Sequence, residues 1–247
     1  MFDYDGTLKE LNELKISEEI ESLLSEIKSR DTIIILATGR PHEACSYLLQ
    51  KKLVDCIVSA NGALTMTKDK ILYSEEIPFE MVSNFLEFTL KNSMSATFYS
   101  ESMTGNGIHS DNLMLGLKES MNIDSNKLKN IQDDLNQPIF LMCAFIDSSA
   151  DQILQRQFPN MIISRWHNQI VSILYKEVTK VTGISKALEY YSILPSECVA
   201  VGDGTNDIEM LKYSGYGIAV GRENKKLVDI SDKVIDKVDS KLLSVIF

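Results

Sequence analysis

Short apolar runs alternate with helical patterns at both ends of the chain. Residues 32–37, 56–59 and 198–201 are rich in β-branched or small apolar side chains and end at polar or glycine-containing turns. Such runs are typical of strands that are buried on both faces. Apolar residues three or four positions apart predict helices that begin after Ser17, at Pro41 and near residues 181, 206 and 227. The alternation predicts an α/β fold, a doubly wound and mostly parallel sheet with helices on both faces.

The middle of the chain departs from this alternation. Residues 78–91 predict a helix, residues 139–146 a long strand, and residues 161–175 an antiparallel hairpin. Because this α+β pattern differs from the flanking βα pattern, we expect an inserted domain at 78–176. The core domain would then consist of residues 1–77 and 177–247.

Composition and charge limit the classes of function. The chain has 247 residues, of which 44% are hydrophobic and 24% are charged, as in an ordinary globular protein. Its net charge of −10 argues against a nucleic-acid partner, since phosphate backbones attract clustered Lys and Arg. The four cysteines form no CxxC pair, and no apolar run approaches the ~18 residues of a membrane span. We therefore expect a cytoplasmic monomer or homodimer with no membrane partner.

The first candidate motif is a pair of carboxylates near the start of the chain. Asp3 and Asp5 are two residues apart, and on an extended backbone such side chains point the same way. Two close carboxylates suit a hard divalent cation with oxygen ligands. Taken alone, the motif is equally typical of a solvated turn or of half a calcium loop. Only Met1 and Phe2 precede Asp3 in this sequence, so either its start is truncated or the strand that carries Asp3 is unusually short.

Two further motifs could hold an anion. Thr38 places a hydroxyl at the end of a predicted strand, Gly39 frees the backbone, and the next helix begins there. A threonine that only caps the helix is the alternative. Lys180 precedes a helical run and could hold phosphoryl oxygens as a point charge, with Lys186 as a competing candidate.

The fourth motif is a dense set of oxygen ligands after the predicted strand at 198–201. Asp203 lies between two glycines, and Asn206 and Asp207 begin a helix. Acidic residues at a helix start are often only caps. However, ligands in open α/β sheets bind beyond the carboxyl ends of the strands, so all four motifs can converge on one crevice.

The order of these motifs resembles that of the haloacid dehalogenase superfamily of phosphohydrolases. The matching segments are Asp-x-Asp-Gly-Thr at 3–7, Thr-Gly-Arg at 38–40, Lys180, and Gly-Asp-Gly-x-Asn-Asp at 202–207. The segment 59–63, which contains Asn61 and Gly62, is similar to the Asn-Gly segment of Cof-type sugar phosphatases. The insert falls where that subfamily carries its α+β (type IIB) cap. The resemblance thus implies a Rossmann-like core with an inserted cap, and it favours Lys180 over Lys186.

The resemblance also implies an activity and a role for each site residue. It implies a Mg²⁺-dependent phosphatase that hydrolyses small phosphorylated metabolites, mainly sugar phosphates, through an aspartyl-phosphate intermediate. Asp3 would be the nucleophile and a metal ligand. Asp5 would bind the metal through its backbone carbonyl and leave its carboxyl free as acid and base, and Asp203 would complete the metal ligands. The remaining implied roles are phosphate binding by Tyr4 (through its N–H), Thr38, Gly39, Lys180 and Asn206, support of Lys180 or metal-bound water by Asp207, and substrate contact by Arg40, Asn61 and Gly62.

Two alternatives stay open. A phosphomutase of the same superfamily would return the phosphoryl group to a sugar, although the Asn61-Gly62 segment favours a phosphatase. A catalytically silent metabolite-binding protein would usually lack a nucleophile or metal ligand, and here Asp3 and Asp203 are both present.

Overall fold

The computed structural model describes residues 1–11 and 13–247, which form two compact units. The first unit comprises Met1–Ser74 and Thr179–Phe247, and the second comprises Glu75–Val178. The predicted domain bounds lie close to these limits. That the two units are a catalytic core and a cap stays a prediction.

The helices and strands are numbered here in chain order. The first unit begins with α1 (Glu18–Lys28), β1 (Ile35–Ala37), α2 (Tyr47–Gln50), β2 (Cys56–Ser59), β3 (Leu64–Thr67) and β4 (Ile71–Ser74). The second unit contains α3 (Phe79–Lys91), β5 (Ser95–Tyr99), β6 (Met103–Gly105), α4 (Asp111–Met121), β7 (Lys129–Asn130), β8 (Leu141–Phe145), α5 (Asp151–Gln157), β9 (Ile162–His167) and β10 (Ile170–Leu174). The chain returns to the first unit with α6 (Lys180–Tyr191), β11 (Val199–Gly202), α7 (Ile208–Tyr213), β12 (Tyr216–Val220), α8 (Lys225–Ile230), β13 (Lys233–Ile235) and α9 (Leu243–Ile246).

The first residues of the chain join two groups of strands in the first unit. One group has the order β1-β2-β3-β4, with β1 and β2 parallel, and the other is the parallel group β11-β12-β13. Phe2 forms parallel bridges to both Leu36 of β1 and Val201 of β11. Its N–H donates to Ile35 O at 2.9 Å, and the N–H of Asp3 donates to Val201 O at 2.9 Å. Two residues ahead of Asp3 are therefore enough to hold it between two parallel strands.

Both faces of this sheet are buried, as the apolar runs predict. Leu36 packs on one face with Leu24 of α1 and Leu48 of α2. Its neighbour Ile35 packs on the other face with Ile184 of α6. Alternate residues of one strand thus belong to two separate cores, which is why the run contains no polar position.

The second unit is a six-stranded sheet with the order β7-β6-β5-β8-β10-β9. Its pairs are antiparallel except for β6 with β7. One face packs against α3 and α5, with Phe85 and Leu154 among its buried residues. On α4, a Cβ added at Gly116 would lie 3.0 Å from Ile170, so this helix packs closely against the sheet.

Two predictions from the sequence are wrong in detail. The helix predicted to begin at Pro41 is split into a 3₁₀ turn, His42–Ala44, and the short helix α2. The N–H of Cys45 donates to His42 O at 3.0 Å and the N–H of Leu48 to Cys45 O at 2.9 Å, so the backbone is wound more tightly than an α-helix. Helix α4 was not predicted. Within residues 1–11 and 13–247, no helix is both long and apolar enough to cross a membrane.

Candidate active site

Three of the candidate motifs meet at one edge of the sheet in the first unit. Asp3 lies between β1 and β11, Thr38 directly follows β1, and Asp203 directly follows β11. Because neighbouring parallel strands end at the same edge, their following residues are brought together. Asp3, Asp203 and Asp207 each place one carboxylate oxygen within 4.8 Å of the others.

Within this acidic cluster, the carboxylate of Asp207 is held by three hydrogen bonds. Its carboxylate is fully buried and accepts hydrogen bonds from three donors. One oxygen accepts from Lys180 Nζ at 2.7 Å. The other accepts from the backbone N–H groups of Asp203 at 3.1 Å and Gly204 at 2.9 Å. Asp207 therefore holds both the lysine and the loop that carries Asp203.

Lys180 is the lysine at this site. It is the first residue of α6, it is buried, and its ammonium donates to both Asp3 and Asp207. Burial alone lowers the pKa of Lys180, but the carboxylates of Asp207 and Asp3 outweigh this effect and the pKa is raised. Lys186, the competing candidate, is half-exposed and pairs with Glu189 at 3.1 Å.

The start of α6 is held in place by a close backbone contact. Gly62 has a φ of +106°, and a Cβ at this position would lie 1.9 Å from Thr179 O. Only glycine permits both this backbone angle and this approach. Gly62 thereby fixes the position of the turn from which Lys180 projects.

The acidic cluster carries more negative charge than Lys180 balances. Burial, followed by the charge of Asp207, raises the pKa of Asp3 well above its ordinary value, although Lys180 opposes this. Burial also raises the pKa of Asp203 to about 6, with a hydrogen bond from Thr7 at 2.7 Å acting against it and Asp207 adding to it. Three carboxylates and one ammonium fit a divalent cation, both in charge and in oxygen donors. Gly6 leaves room beside Asp203, since a Cβ there would lie 2.3 Å from Asp203 Oδ2.

The carboxyl of Asp5 is held by two basic side chains, Arg40 and Lys9. Arg40 donates to it through Nε at 2.6 Å and through Nη2 at 2.8 Å, and Lys9 Nζ lies 3.1 Å from Oδ1. The backbone turns after Asp5 instead of staying extended, with Gly6 at a φ of +81° and its N–H bonded to Lys9 O at 2.8 Å. This turn brings Lys9 against the Asp5 carboxyl. Binding of a metal by the backbone carbonyl of Asp5 stays a prediction.

A turn at residues 60–62 links the other predicted phosphate-binding groups. The N–H of Asn61 donates to Thr38 O at 3.1 Å, and Asn206 Nδ2 donates to Asn61 Oδ1 at 3.3 Å. A Cβ added at Gly39 would lie 3.1 Å from the same Asn61 oxygen. The structure thus brings Thr38, Gly39, Asn61 and Asn206 together, and their roles toward a substrate stay predictions.

Two further residues of the site region have contacts that the sequence did not predict. The Tyr4 side chain is buried and its hydroxyl lies 3.1 Å from that of Tyr47, so only its backbone N–H is left for the predicted phosphate contact. Lys9 was not singled out at all. Its spacing of four from Asp5 was the available signal, but that spacing carries information only if the intervening backbone turns.

Comparisons with known proteins identify the family of the chain. The chain matches the haloacid dehalogenase-like hydrolase family model over residues 1–242. YkrA of Bacillus subtilis is 24% identical over 242 residues, which cover 96% of this chain and 91% of YkrA. The 5-amino-6-(5-phospho-D-ribitylamino)uracil phosphatase YitU of the same organism is 24% identical over 236 residues, covering 89% of this chain and 84% of YitU.

A solved structure has the same fold. The HAD subclass IIB sugar phosphatase BT4131 superposes with a TM-score of 0.82 at 24% identity, covering 99% of this chain and 96% of that protein. The predicted family, the α/β fold and the assignment as a hydrolytic enzyme are thus confirmed. On this evidence, the chain belongs to the haloacid dehalogenase-like hydrolases.

Proposed function

We propose that this hydrolase is a Mg²⁺-dependent phosphatase that cleaves small phosphorylated metabolites, mainly sugar phosphates, through an aspartyl-phosphate on Asp3. The observation that carries the proposal is the buried Asp3 carboxylate, bonded to Lys180 and grouped with Asp203 and Asp207 at a strand end. The protein would act in the cytoplasm as a monomer or homodimer.

Asp3 is the proposed nucleophile. One of its oxygens forms a bond to phosphorus while the bond from phosphorus to the alcohol oxygen of the substrate breaks. Water then attacks the aspartyl-phosphate, which releases inorganic phosphate and regenerates the carboxylate. Lys180 orients the Asp3 carboxylate before the attack, because its ammonium is bonded to it and is in turn fixed by Asp207.

Mg²⁺ would be held by Asp3, Asp203 and the backbone carbonyl of Asp5, and when bound it would neutralise charge on the carboxylates and the phosphoryl group. The other groups act on the phosphoryl oxygens. We assign this role to Lys180, Thr38, Gly39, Asn206 and the N–H of Tyr4.

Asp5 is the proposed acid and base. Its carboxyl would give a proton to the leaving alcohol oxygen and would later take one from the attacking water. Arg40, Asn61 and Gly62 lie near these groups and would contact the substrate or hold those that do.

Phosphate release by the purified protein with Mg²⁺ tests the proposal. The panel should contain p-nitrophenyl phosphate, sugar monophosphates and 5-amino-6-(5-phospho-D-ribitylamino)uracil, which is the substrate in the name of YitU. We expect release that is abolished by EDTA and by Asp3→Asn, and that is unchanged in the control Glu189→Gln, whose carboxylate is exposed. No release from any compound would refute the proposal. Isomerised sugar phosphate without free phosphate would indicate a mutase, and tight binding without turnover would indicate a silent binding protein.

A further inference from the structure

The Asp5 carboxylate is held by two buried cations. The side chains of Lys9 and Arg40 are 0% and 6% exposed, whereas that of Asp5 is 22% exposed. Both cations therefore approach the carboxylate from its buried side and leave its outer side accessible. Two cations for one carboxylate are more than charge balance requires, and burial of each ammonium or guanidinium carries a desolvation cost. Charge balance and stability therefore do not account for the second buried cation.

The contacts fix the orientation of the carboxylate. Arg40 binds it through two nitrogens, and such bidentate pairing sets the plane of the carboxyl group. The Lys9 ammonium forms an ion pair with the carboxylate and lies 3.1 Å from Oδ1. Arg40 occupies one lone-pair position on each oxygen, out of about four that a carboxylate offers. Because Lys9 lies beside Oδ1, the second position on Oδ2 is where a further partner would bind.

The cations themselves are held rigidly. The ammonium of Lys9 donates to Glu10 O at 2.7 Å and to Glu13 O at 3.0 Å, so two backbone carbonyls hold it beside Asp5. The guanidinium of Arg40 lies over the ring of the buried Tyr4, at 5.4 Å from the ring centre. Neither cation depends on Asp5 alone for its position.

We propose that Lys9 and Arg40 are positioning residues that hold the Asp5 carboxyl with Oδ2 directed toward the leaving oxygen of the substrate. This inference rests on the proposed function, because it concerns the proton that Asp5 gives to that oxygen. The proton passes from Asp5 to the oxygen as the bond from phosphorus to oxygen breaks, so no additional reactant is needed. Lys9 acts only through Asp5, whereas Arg40 is also proposed to contact the substrate.

A pair of substrates that differ in leaving group separates this role from a structural one. p-Nitrophenolate leaves readily without a proton, whereas phenolate leaves poorly and benefits from one. Lys9→Met removes the ammonium but keeps a side chain of similar length, and Arg40→Lys keeps the charge but loses the two-nitrogen contact. We expect Lys9→Met to lower kcat for phenyl phosphate by about tenfold or more, while kcat for p-nitrophenyl phosphate and both KM values change little. For Arg40→Lys, which also alters a proposed substrate contact, the expected result is a larger loss of kcat on phenyl phosphate than on p-nitrophenyl phosphate. The control Lys186→Met removes an exposed lysine and should change neither substrate.

A double-mutant cycle completes the test. If Lys9 acts through Asp5, then Lys9→Met should have no further effect on phenyl phosphate in an Asp5→Asn background. Equal losses on the two substrates, or losses that add in the double variant, would overturn the inference while the phosphatase activity stands. If Lys9→Met does not fold, the same criteria apply to Arg40→Lys. A wild-type protein that hydrolyses neither substrate refutes the proposed function itself.

Discussion

Replacement of Asp207 by alanine should destabilise the first unit strongly. The carboxylate is fully buried and accepts from Lys180 Nζ and from the N–H groups of Asp203 and Gly204. In the variant, Lys180 keeps only Asp3 as a partner among these carboxylates. The two N–H groups lose the acceptor that they have in the structure.

The expected loss can be worked from these contacts. Breaking a buried ion pair by removal of one partner typically costs about 3–5 kcal/mol, and each buried donor left without an acceptor about 1–3 kcal/mol. These costs overlap, since the contacts share one carboxylate. The negative charge of Asp207 also raises the pKa of Asp3 and of Asp203, so its removal relieves repulsion and offsets part of this cost. We expect a net loss of about 2–5 kcal/mol for Asp207→Ala, and a smaller loss for Asp207→Asn, which keeps the size and one acceptor oxygen.

Equilibrium unfolding in urea, followed by circular dichroism, measures this loss. Hydrogen exchange of the peptide containing Asp203 and Gly204 then locates it, because these amides should exchange faster in the variant. The control Glu189→Ala removes a carboxylate that is 73% exposed and should change stability by less than about 0.5 kcal/mol. A loss below about 1 kcal/mol for Asp207→Ala, or unchanged exchange at the two amides, would refute the reasoning.

Three further predictions use the same structure. Gly62→Ala should lower the free energy of unfolding by more than about 3 kcal/mol and abolish phosphate release, since its Cβ would lie 1.9 Å from Thr179 O. The control Gly221→Ala is also at positive φ but faces only a flexible side chain. It should lower the free energy of unfolding by about 1–2 kcal/mol in the same urea assay. Of the four cysteines, only the partly exposed Cys198 should react with a thiol reagent in the folded protein, because the other three are buried; modification of more than one thiol before unfolding would contradict this. The pKa of Asp203 is raised from its ordinary 3.8 to about 6, so between about pH 4 and 6 the metal-free folded protein holds one proton more than the unfolded chain. The stabilising effect of this proton is lost as the pH rises through 6. Mg²⁺ affinity, measured by calorimetry, should accordingly weaken below pH 6 by up to about tenfold per pH unit, and an affinity that is flat from pH 5 to 7 would exclude this linkage.

The convergence of the motifs was predictable because it follows from the geometry of a parallel sheet. Once residues 32–37 and 198–201 are recognised as buried parallel strands, the residues that follow them must lie at one edge. Thr38 and Asp203 are placed by this rule alone. Asp3 is placed by the same rule, because Met1 and Phe2 directly before it hydrogen-bond to the neighbouring strands.

The features that were missed depend on tertiary contacts or on short-range backbone geometry. The split of the helix at Pro41 follows from tight 3₁₀ bonds that hydrophobic spacing does not encode. Ala60 and Asn61 adopt positive φ values of 49° and 55°. Asparagine tolerates this region, but alanine does not favour it, so at Ala60 the surrounding contacts impose it. A spacing argument assumes regular backbone, so it fails wherever the chain turns between the residues compared.

Asp3 and Asp5 are two residues apart in the sequence, but their carboxylates lie among different charged groups. Asp3 is grouped with Asp203 and Asp207, and Lys180 is bonded to Asp3 and Asp207, so this group has an excess of negative charge that suits a divalent cation. Asp5 is held by two cations, Lys9 and Arg40, so positive charge is in excess immediately around it. Two residues of one short motif are thereby placed in opposite electrostatic surroundings, and a carboxyl in each can take a different part in the reaction. The turn at Gly6 contributes to this difference, because it brings Lys9 back against the Asp5 carboxyl.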